Sequence, residues 1–578
     1  MNSAVIQRLS PEVVTLIAAG ETIDSLAAAV RELAENALDA GATRISISLF
    51  PDLWRLQVAD NGRGMNLTNL RECAKAHCTS KISDRADLWK ITSLGFRGEA
   101  LHSVAQLGQL EILSRATLEE EAGWRLKYDR DGNPVEEEAI AIAPGTIVTV
   151  SDLFATIPVR RNALPSASQQ LKAIQESIYQ LALCHPHVTW QVLQNGRSWF
   201  NLCPSSTAKE ILPQLLKSVQ TSDLQYLNVV VQRPPSLEED EESQTTNDEL
   251  INSFPSKIEV AIGLPDRCHR HRADWVRVAA NGRIVRSPEL EQTIIAATSR
   301  TLPRDRYPIC FLHLKTDPGQ IDWNRHPAKL EIYLHAMDWW RDRVTDTLEQ
   351  ALRLSRADLA SSGHQRISQL LKVSEAKGSQ YRLNPNLQAA VTKTPEIGLI
   401  ELRAVAQVNK TYIVAEHANG VWLVEQHIAH ERVLYEQLLD AWQLAAIEPP
   451  LILTQLTPAQ LAQLQRLNLE IEPFGEQMWA ARTVPEMLRQ REDCAEALLE
   501  LSWGGDLQTA QVAVACRSAI RNGTSLTLPQ MQDLLDGWQQ TRQPRTCPHG
   551  RPIYLPLEES SLARFFRRHW VIGKSHGI

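Results

Sequence analysis

Residues 30–41 read VRELAENALDAG, and their spacing decides how the first half of the chain is read. At about 100° per residue, Val30, Leu33, Ala34, Ala37 and Leu38 share one face, while Glu32, Glu35, Asn36 and Asp39 share the other. The spacing predicts a helix with Gly41 as its C-terminal cap. Taken alone it is a surface helix with a solvated polar face, and the segments that follow change that. ISISLF (45–50) and LWRLQVAD (53–60) alternate with period two, which predicts neighbouring strands joined by a short turn at Pro51. The second strand ends in Asp60-Asn61-Gly62-Arg63-Gly64, a carboxylate beside backbone that a ligand can approach closely. LGFRGEAL (94–101) is a glycine-containing loop entering an apolar helical run, and N–H groups at a helix start suit phosphate oxygens. Pro144-Gly145-Thr146 precedes the alternating strand 147–150. Singly, such pieces recur as ordinary turns.

Working outward, the 578 residues suggest about three or four domains. Hydrophobic residues make up 43% and charged residues 22%, so most of the chain is expected to bury real cores. Lys plus Arg is 60 against 68 for Asp plus Glu, and a net charge of -8 argues against coating nucleic acid through the overall field. DNA contact has to be local, and Arg160-Arg161, residues 267–272, and Arg564 with Arg567-Arg568-His569 are the basic candidates. Ordinary solvated surface is the plainer reading of each. Without an 18-residue apolar run or a basic leader, a soluble, cytoplasmic protein without membrane partners is expected. The nine cysteines form an odd set with no C-x-x-C pair, which fits a reducing compartment.

Helical and alternating patterns run to about residue 350, interrupted by the acidic, polar stretch 234–255, which reads as a disordered or excursive loop. SSGHQ, KGSQYRLNPN and VTKTPE then read as a linker. Beyond it, 402–424 carries strand-like alternation, and a helix opens near Gln426.

In this order and spacing, E-x-x-x-N-x-x-D, D-x-G-x-G, G-F-R-G-E-A and G-T closely resemble the ATP pocket shared by gyrase, Hsp90, histidine kinases and MutL, the GHKL superfamily. IAAGE (17–21), ENALDAGAT (35–43), TSKI (79–82), SLGFRGEAL (93–101) and RHPAK (325–329) resemble the bacterial MutL mismatch-repair family in particular. The resemblance implies an α/β protein with a Bergerat-type ATP-binding sandwich at residues 1–220 and a second α/β transducer domain at 221–350. A flexible linker would follow at 351–395, then a mixed α/β dimerisation domain at 396–578.

It also implies roles that the chemistry supports. Glu32 would orient and deprotonate the attacking water, and Asn36, one turn on, would ligate Mg2+. Asp60 would accept the adenine amino hydrogen, with Gly62, Gly64 and Thr146 shaping the base pocket. Gly95, Phe96, Arg97 and Gly98 would cradle the phosphates, and Ser80 and Lys81 would belong to a mobile lid. Lys329 would reach the γ-phosphate from the second domain and couple nucleotide state to domain position. The chain departs from the family at 22–30, TIDSLAAAV, which lacks the usual Arg-Pro, and at 153–164, LFATIPVRRNAL, which keeps Pro158 and the arginine pair.

In EQHIAHER (425–432), His427 and Glu431 sit four apart on one helical face, a platform for a metal. Such a pair is commonly just solvated. ACRSAI (515–520) and CPHGRP (547–552) add Cys516, Cys547 and His549, and thiolate, imidazole and carboxylate together suit Zn2+ or Mn2+ rather than Mg2+. The three segments resemble the endonuclease motifs of nicking MutL homologues, as Phe566-Arg567-Arg568 resembles a further short motif. Glu425 stands where that pattern has Asp, and Ile428 where it has Ala. Glu425 keeps the charge but adds a methylene, enough to displace a ligand at metal–oxygen distances near ~2 Å.

The resemblance implies a homodimeric, ATP-switched clamp on DNA that couples a MutS-type mismatch-recognition protein to strand incision, working at the nucleoid. A sliding clamp is a further candidate partner, with residues 443–449 a weak match to a clamp-binding peptide. The closest rival is a non-nuclease matchmaker that keeps the ATPase and lacks the metal site. A gyrase subunit, an Hsp90-type chaperone and a histidine kinase share the pocket but not the later motifs.

Overall fold

The structure is a computed structural model that describes residues 10–84, 87, 90–116, 122–231, 255–323, 332–354, 400–559 and 562. Most of the acidic stretch and the linker, together with Lys329, Arg564, Phe566, Arg567, Arg568 and His569, lie outside the described residues. The chain divides into two compact units, Met1–Ile262 with Asp274–Ile294 and Ile309–Thr347, and Gly263–Ala273 with Ile295–Pro308 and Leu348–Ile578.

In the first unit an eight-stranded sheet is built from β1 (Arg44–Phe50), β2 (Arg55–Asp60), β3 (Gln109–Arg115), β4 (Gly123–Tyr128), β5 (Pro134–Ile140), β6 (Gly145–Ser151), β7 (Thr189–Gln194) and β8 (Arg197–Leu202). Its order is β5-β4-β3-β6-β2-β1-β7-β8, antiparallel throughout except where β1 meets β7. β1 and β2 are the two strands expected from the alternation, joined by a short 3-10 turn at Pro51–Leu53. Their alternate residues Ile45, Ile47, Leu49, Leu56 and Val58 are buried, each worth roughly 1.5–3 kcal/mol of transfer free energy.

The helix read from residues 30–41 is Leu26–Asp39, longer at its start because Ser25 caps it, accepting from the Ala28 N–H at 3.1 Å. At the other end Gly41 has φ +77, and the Gly41 and Ala42 N–H groups return to the carbonyls of Leu38 and Ala37, a Schellman closure that favours glycine. Val30, Leu33, Ala34 and Ala37 are buried, and Leu38 is half-buried. The helix packs on β1, β2 and the helices Ala100–Leu107 and Ala167–Cys184. Its polar edge therefore faces into the unit rather than out to water.

A second sheet in the same unit has β9 (Leu224–Val231), β10 (Ser256–Gly263), β11 (Val276–Ala280), β12 (Arg283–Val285) and β13 (Cys310–Lys315), in the order β12-β11-β13-β10-β9. β11 runs parallel to β13, and β12 folds back on β11 through Asn281 and Gly282. The helix Ala167–Cys184 touches both Leu26–Asp39 and β12, so it bridges the two layers.

The second unit carries a four-stranded antiparallel sheet, Arg403–Val408, Tyr412–His417, Gly420–Glu425 and Tyr554–Glu558, where alternation is expected. A three-stranded sheet orders Leu444–Thr454, Met478–Pro485 and Ile471–Gly475, and helices include Gln426–Asp440, Leu507–Ser518 and Leu528–Gln539. The first sheet and Leu528–Gln539 enclose Trp422, Trp538 and Tyr554, with Trp422 and Tyr554 stacked at 4.3 Å. The fold is mixed α/β in both units. Among the described residues no single helix is long and apolar enough to cross a membrane.

Candidate nucleotide pocket and candidate metal centre

The polar edge of Leu26–Asp39 opens onto a cavity of about 580 Å³. Glu32, Asn36, Asp60, Gly64, Ser80, Lys81, Gly95, Phe96, Arg97, Gly98 and Thr146 line it; Gly62 stands behind, its N–H donating to Asp60 Oδ1 at 2.8 Å. Thus segments spread over more than a hundred positions of sequence converge on one hollow. Glu32 is partly exposed there, with the Arg31 guanidinium 3.3 Å from its carboxylate.

Asp60 ends β2 opposite Thr146 of β6. Burial pushes its carboxyl up to about 6, against the pull of the Gly62 and Thr146 backbone N–H groups. Beneath it, the buried Ser114 hydroxyl donates to Gly145 O, accepts from Met65 N–H and lies beside the Thr146 hydroxyl, each at 2.9 Å. Gly64 sits at φ +66 with no room for a side chain, since a Cβ would come 1.9 Å from the Arg115 carbonyl oxygen.

At the other end, Asp39 accepts from Leu94 N–H (2.8 Å) and Gly95 N–H (3.0 Å), anchoring the glycine loop to the helix. Lys81 donates to Asp39 Oδ2 at 2.6 Å and to Asn36 Oδ1 at 2.9 Å. The Asn36 amide oxygen, which the sequence reading gives to Mg2+, here accepts from the Lys81 ammonium. Glu35, placed on the polar face by its spacing, is instead buried against Arg283.

Two of the basic candidates turn inward. Arg160 donates to Gly20 O at 3.0 Å, fastening the helix Pro11–Thr22, and Arg161 lies over the Trp54 ring at 4.7 Å. The Arg267 side chain is buried beside Asp266. These contacts give Arg160, Arg161 and Arg267 structural partners, while His271 and Arg272 of the 267–272 cluster are exposed.

In the second unit, Glu425 ends its strand and caps the helix Gln426–Asp440, one oxygen accepting from Ile428 N–H at 2.6 Å while the other is buried without a partner among the described residues. His427 and Glu431 follow on one face. The helix Leu507–Ser518 supplies Cys516, and the tight turn closed by Cys547 N–H to Arg551 O supplies Cys547 and His549. Two groups result, His427 with Glu431 and Cys516, and Glu431 with Cys547 and His549, each with its candidate ligand atoms within 4.8 Å of one another. All five sequence-read ligands are brought together; Glu425 belongs to neither group.

Electrostatics knit the cluster. Glu431 is fully buried, with His549 Nδ1 2.7 Å from one oxygen and Arg551 donating to the other at 2.7 Å. Burial works to raise this carboxyl, but those partners hold it below its usual range. Burial likewise works to raise the Cys547 thiol, and is outweighed by the contacts of His549 and Arg551. Facing Cys547 and then Glu431, His549 rises to about 9. His427 Nδ1 lies 3.0 Å from Ile520 O, which orients that ring and leaves Nε2 available to a metal. The donors fit Zn2+ or a similar metal by type and spacing.

Residues 24–147 match the family model for histidine kinase-, DNA gyrase B-, and HSP90-like ATPases, residues 239–353 the model for the C-terminal domain of DNA mismatch repair protein, and residues 405–526 the MutL C terminal dimerisation domain. Pocket, sheet order and first match together define an ATP-binding ATPase of the histidine kinase, gyrase and Hsp90 class. The chain is similar along its whole length to the DNA mismatch repair protein MutL of Rippkaea orientalis, 62% identical with all of both chains covered. It is 60% identical to that of Trichormus variabilis, again over all of both chains, and 32% identical to that of Methanoculleus marisnigri, covering 97% of this chain and 99% of the other. The chain belongs to the MutL family of DNA mismatch repair proteins, and carries an ATPase domain and a dimerisation domain.

Proposed function

We propose that this protein is an ATP-switched homodimeric clamp on DNA that links a MutS-type mismatch sensor to strand incision, and that its second unit nicks DNA itself. In the pocket, Glu32 orients and deprotonates water, Asn36 offers its amide oxygen to Mg2+, and Asp60 reads the adenine amino group. Gly62, Gly64 and Thr146 shape the base site; Gly95, Phe96, Arg97 and Gly98 cradle the phosphates under a lid containing Ser80 and Lys81. Mg2+, when bound, neutralises charge on the phosphates. Residues 1–220 and 221–350 act as ATPase and transducer domains, with Lys329 reporting the γ-phosphate. The linker 351–395 tethers them to the domain 396–578, which binds Mn2+ or Zn2+. A sliding clamp is the candidate further partner, and the nucleoid the site of action.

The incision reading is carried by one observation: Glu431 is shared by two potential ligand groups that gather three distant segments. A metal held there stabilises charge on a phosphodiester oxygen. Glu425 Oε1, buried without a partner among the described residues, is a carboxylate oxygen available to accept a proton from water. The test is supercoiled-plasmid nicking with Mn2+, with and without ATP, beside elemental analysis. Glu425→Gln is expected to keep the metal and lose nicking, and Cys547→Ser to lose both. Metal without nicking under any ATP or clamp condition would make the protein a matchmaker, the reading favoured by Glu425 capping its own helix.

A further inference from the structure

One contact beside the nucleotide pocket comes from outside the first sheet, reaching the neighbours of the lining residues Asn36 and Gly95. Arg283 opens β12, and one of its terminal nitrogens donates to Glu35 Oε2 at 2.5 Å and to Leu94 O at 2.6 Å. The partners lie 248 and 189 positions away in sequence. Both side chains of the ion pair are almost wholly buried, at 8% and 2% exposure. Taking two charges out of water is expensive, so such a pair is better explained by what it fixes than by net stabilisation.

What it fixes can be followed residue by residue. Glu35 precedes Asn36 and follows Glu32 by three positions on the same helix. Leu94 precedes Gly95, where the phosphate cradle opens. The residue is grasped on both sides, since its N–H goes to Asp39 Oδ1 and its carbonyl to Arg283. The donor is itself pinned. Gly282 donates to His313 Nε2 at 2.9 Å, its carbonyl lies 3.0 Å from His185 Nε2, and Asn281 exchanges two 2.9 Å bonds with the backbone of Thr316. Arg277 ties β11 to Glu176 of the helix Ala167–Cys184. The second sheet thus presents one guanidinium, from a hairpin held by these bonds, to both the helix and the glycine loop beside the pocket.

We propose that Arg283 is a positioning residue for ATP hydrolysis: it locks the helix bearing Glu32 and Asn36 and the loop beginning the phosphate cradle into one register. The inference rests on the roles proposed for Glu32 and Asn36. Because in-line attack tolerates little misplacement, loss of the register costs turnover more than binding. It also makes any shift of β12 a shift of the hydrolytic groups, so the second sheet has a direct mechanical grip on the first.

The experiment compares the full-length wild type with Arg283→Met, Glu35→Gln and the double variant, measuring Tm, kcat and the Kd of a fluorescent non-hydrolysable ATP analogue. Arg283→Met strands a buried carboxylate and is expected to lower Tm; the double variant removes that charge and is expected to regain most of it. Turnover is expected to fall roughly 10- to 100-fold in Arg283→Met and to stay low in the double variant, with Kd within about threefold of wild type. Recovery of kcat together with Tm would mean that the pair serves folding alone, and would overturn the proposal. So would wild-type kcat in Arg283→Met, or a Kd that rises as far as kcat falls. Glu32→Ala in the same assay separates the failures: its wild-type turnover would sink the reading of the pocket, whereas the Arg283 comparison is scored without it.

Discussion

Asp60 gives the pocket a pH signature that can be worked out before any experiment. Its carboxyl is buried at the end of β2 and titrates near 6, while the neighbouring Gly62 and Thr146 N–H groups and the amino group of an adenine are all donors. Donors favour the ionised form, so nucleotide binding and proton release are linked. Because the folded-state value is raised above the ordinary aspartate range near 3.8, the free protein holds a proton between about pH 4 and 6 that the bound form must give up. At pH 7 about nine in ten molecules are ionised, and at pH 5 about one in ten, so affinity is expected to fall about tenfold, or ~1.4 kcal/mol, between them. The assay is fluorescence titration with an ATP analogue from pH 5 to 8 on the wild type and Asp60→Asn. Asparagine does not ionise in this range, so the ratio of the two affinities cancels the titration of the phosphates and of other groups. That ratio should rise with pH through about 6 and level off above 7. A flat ratio, or one falling with pH, would refute the assignment of Asp60 as the adenine acceptor.

Gly64→Ala should destabilise the first unit by about 2–4 kcal/mol in denaturant titration, from left-handed backbone strain plus the collision with Arg115 O. An unchanged midpoint would mean the loop relaxes freely. Asp39→Ala releases Leu94, Gly95 and Lys81 together and should weaken ATP binding about tenfold or more, because charge-assisted bonds of roughly 1.5–3 kcal/mol are lost from the cradle. Asp39→Asn, which retains an acceptor, should fall between; equal affinity in all three would count against a cradle anchored on Asp39. Radius of gyration should shrink when a non-hydrolysable ATP analogue closes an N-terminal dimer, and Lys329→Ala should weaken that compaction; an unchanged radius would count against the switch.

Much of this was legible because local pattern and spacing carry it. The 3.6-residue period of residues 30–41, the alternation of β1 and β2, and the glycines at 41 and 64 each follow from backbone geometry that few other residues can satisfy. The pocket residues were found because motif order survives when the chain folds them together. Contacts that depend on folding itself were not legible. Glu35 sits at a polar helical position and is nonetheless buried, because its partner arrives from β12. Ser114 carries no signal in its spacing, yet its hydroxyl braces Gly145 and Thr146 at the Asp60 end of the pocket. Asp39 was visible in the spacing E-x-x-x-N-x-x-D, but its grip on the Leu94 and Gly95 N–H groups was not. At the candidate metal centre the five residues that converge were readable as possible ligands from residue type, whereas Arg551 on Glu431 and the helix-capping role of Glu425 needed coordinates.

One measurement reaches the role proposed for Glu32 directly: steady-state ATP hydrolysis by the full-length wild type and Glu32→Ala, with nucleotide affinity measured on the same samples. A general base typically contributes about 100- to 10,000-fold, so the variant should bind the ATP analogue as the wild type does while losing most of its turnover. Equal hydrolysis by the two proteins would contradict the assignment of the pocket's chemistry.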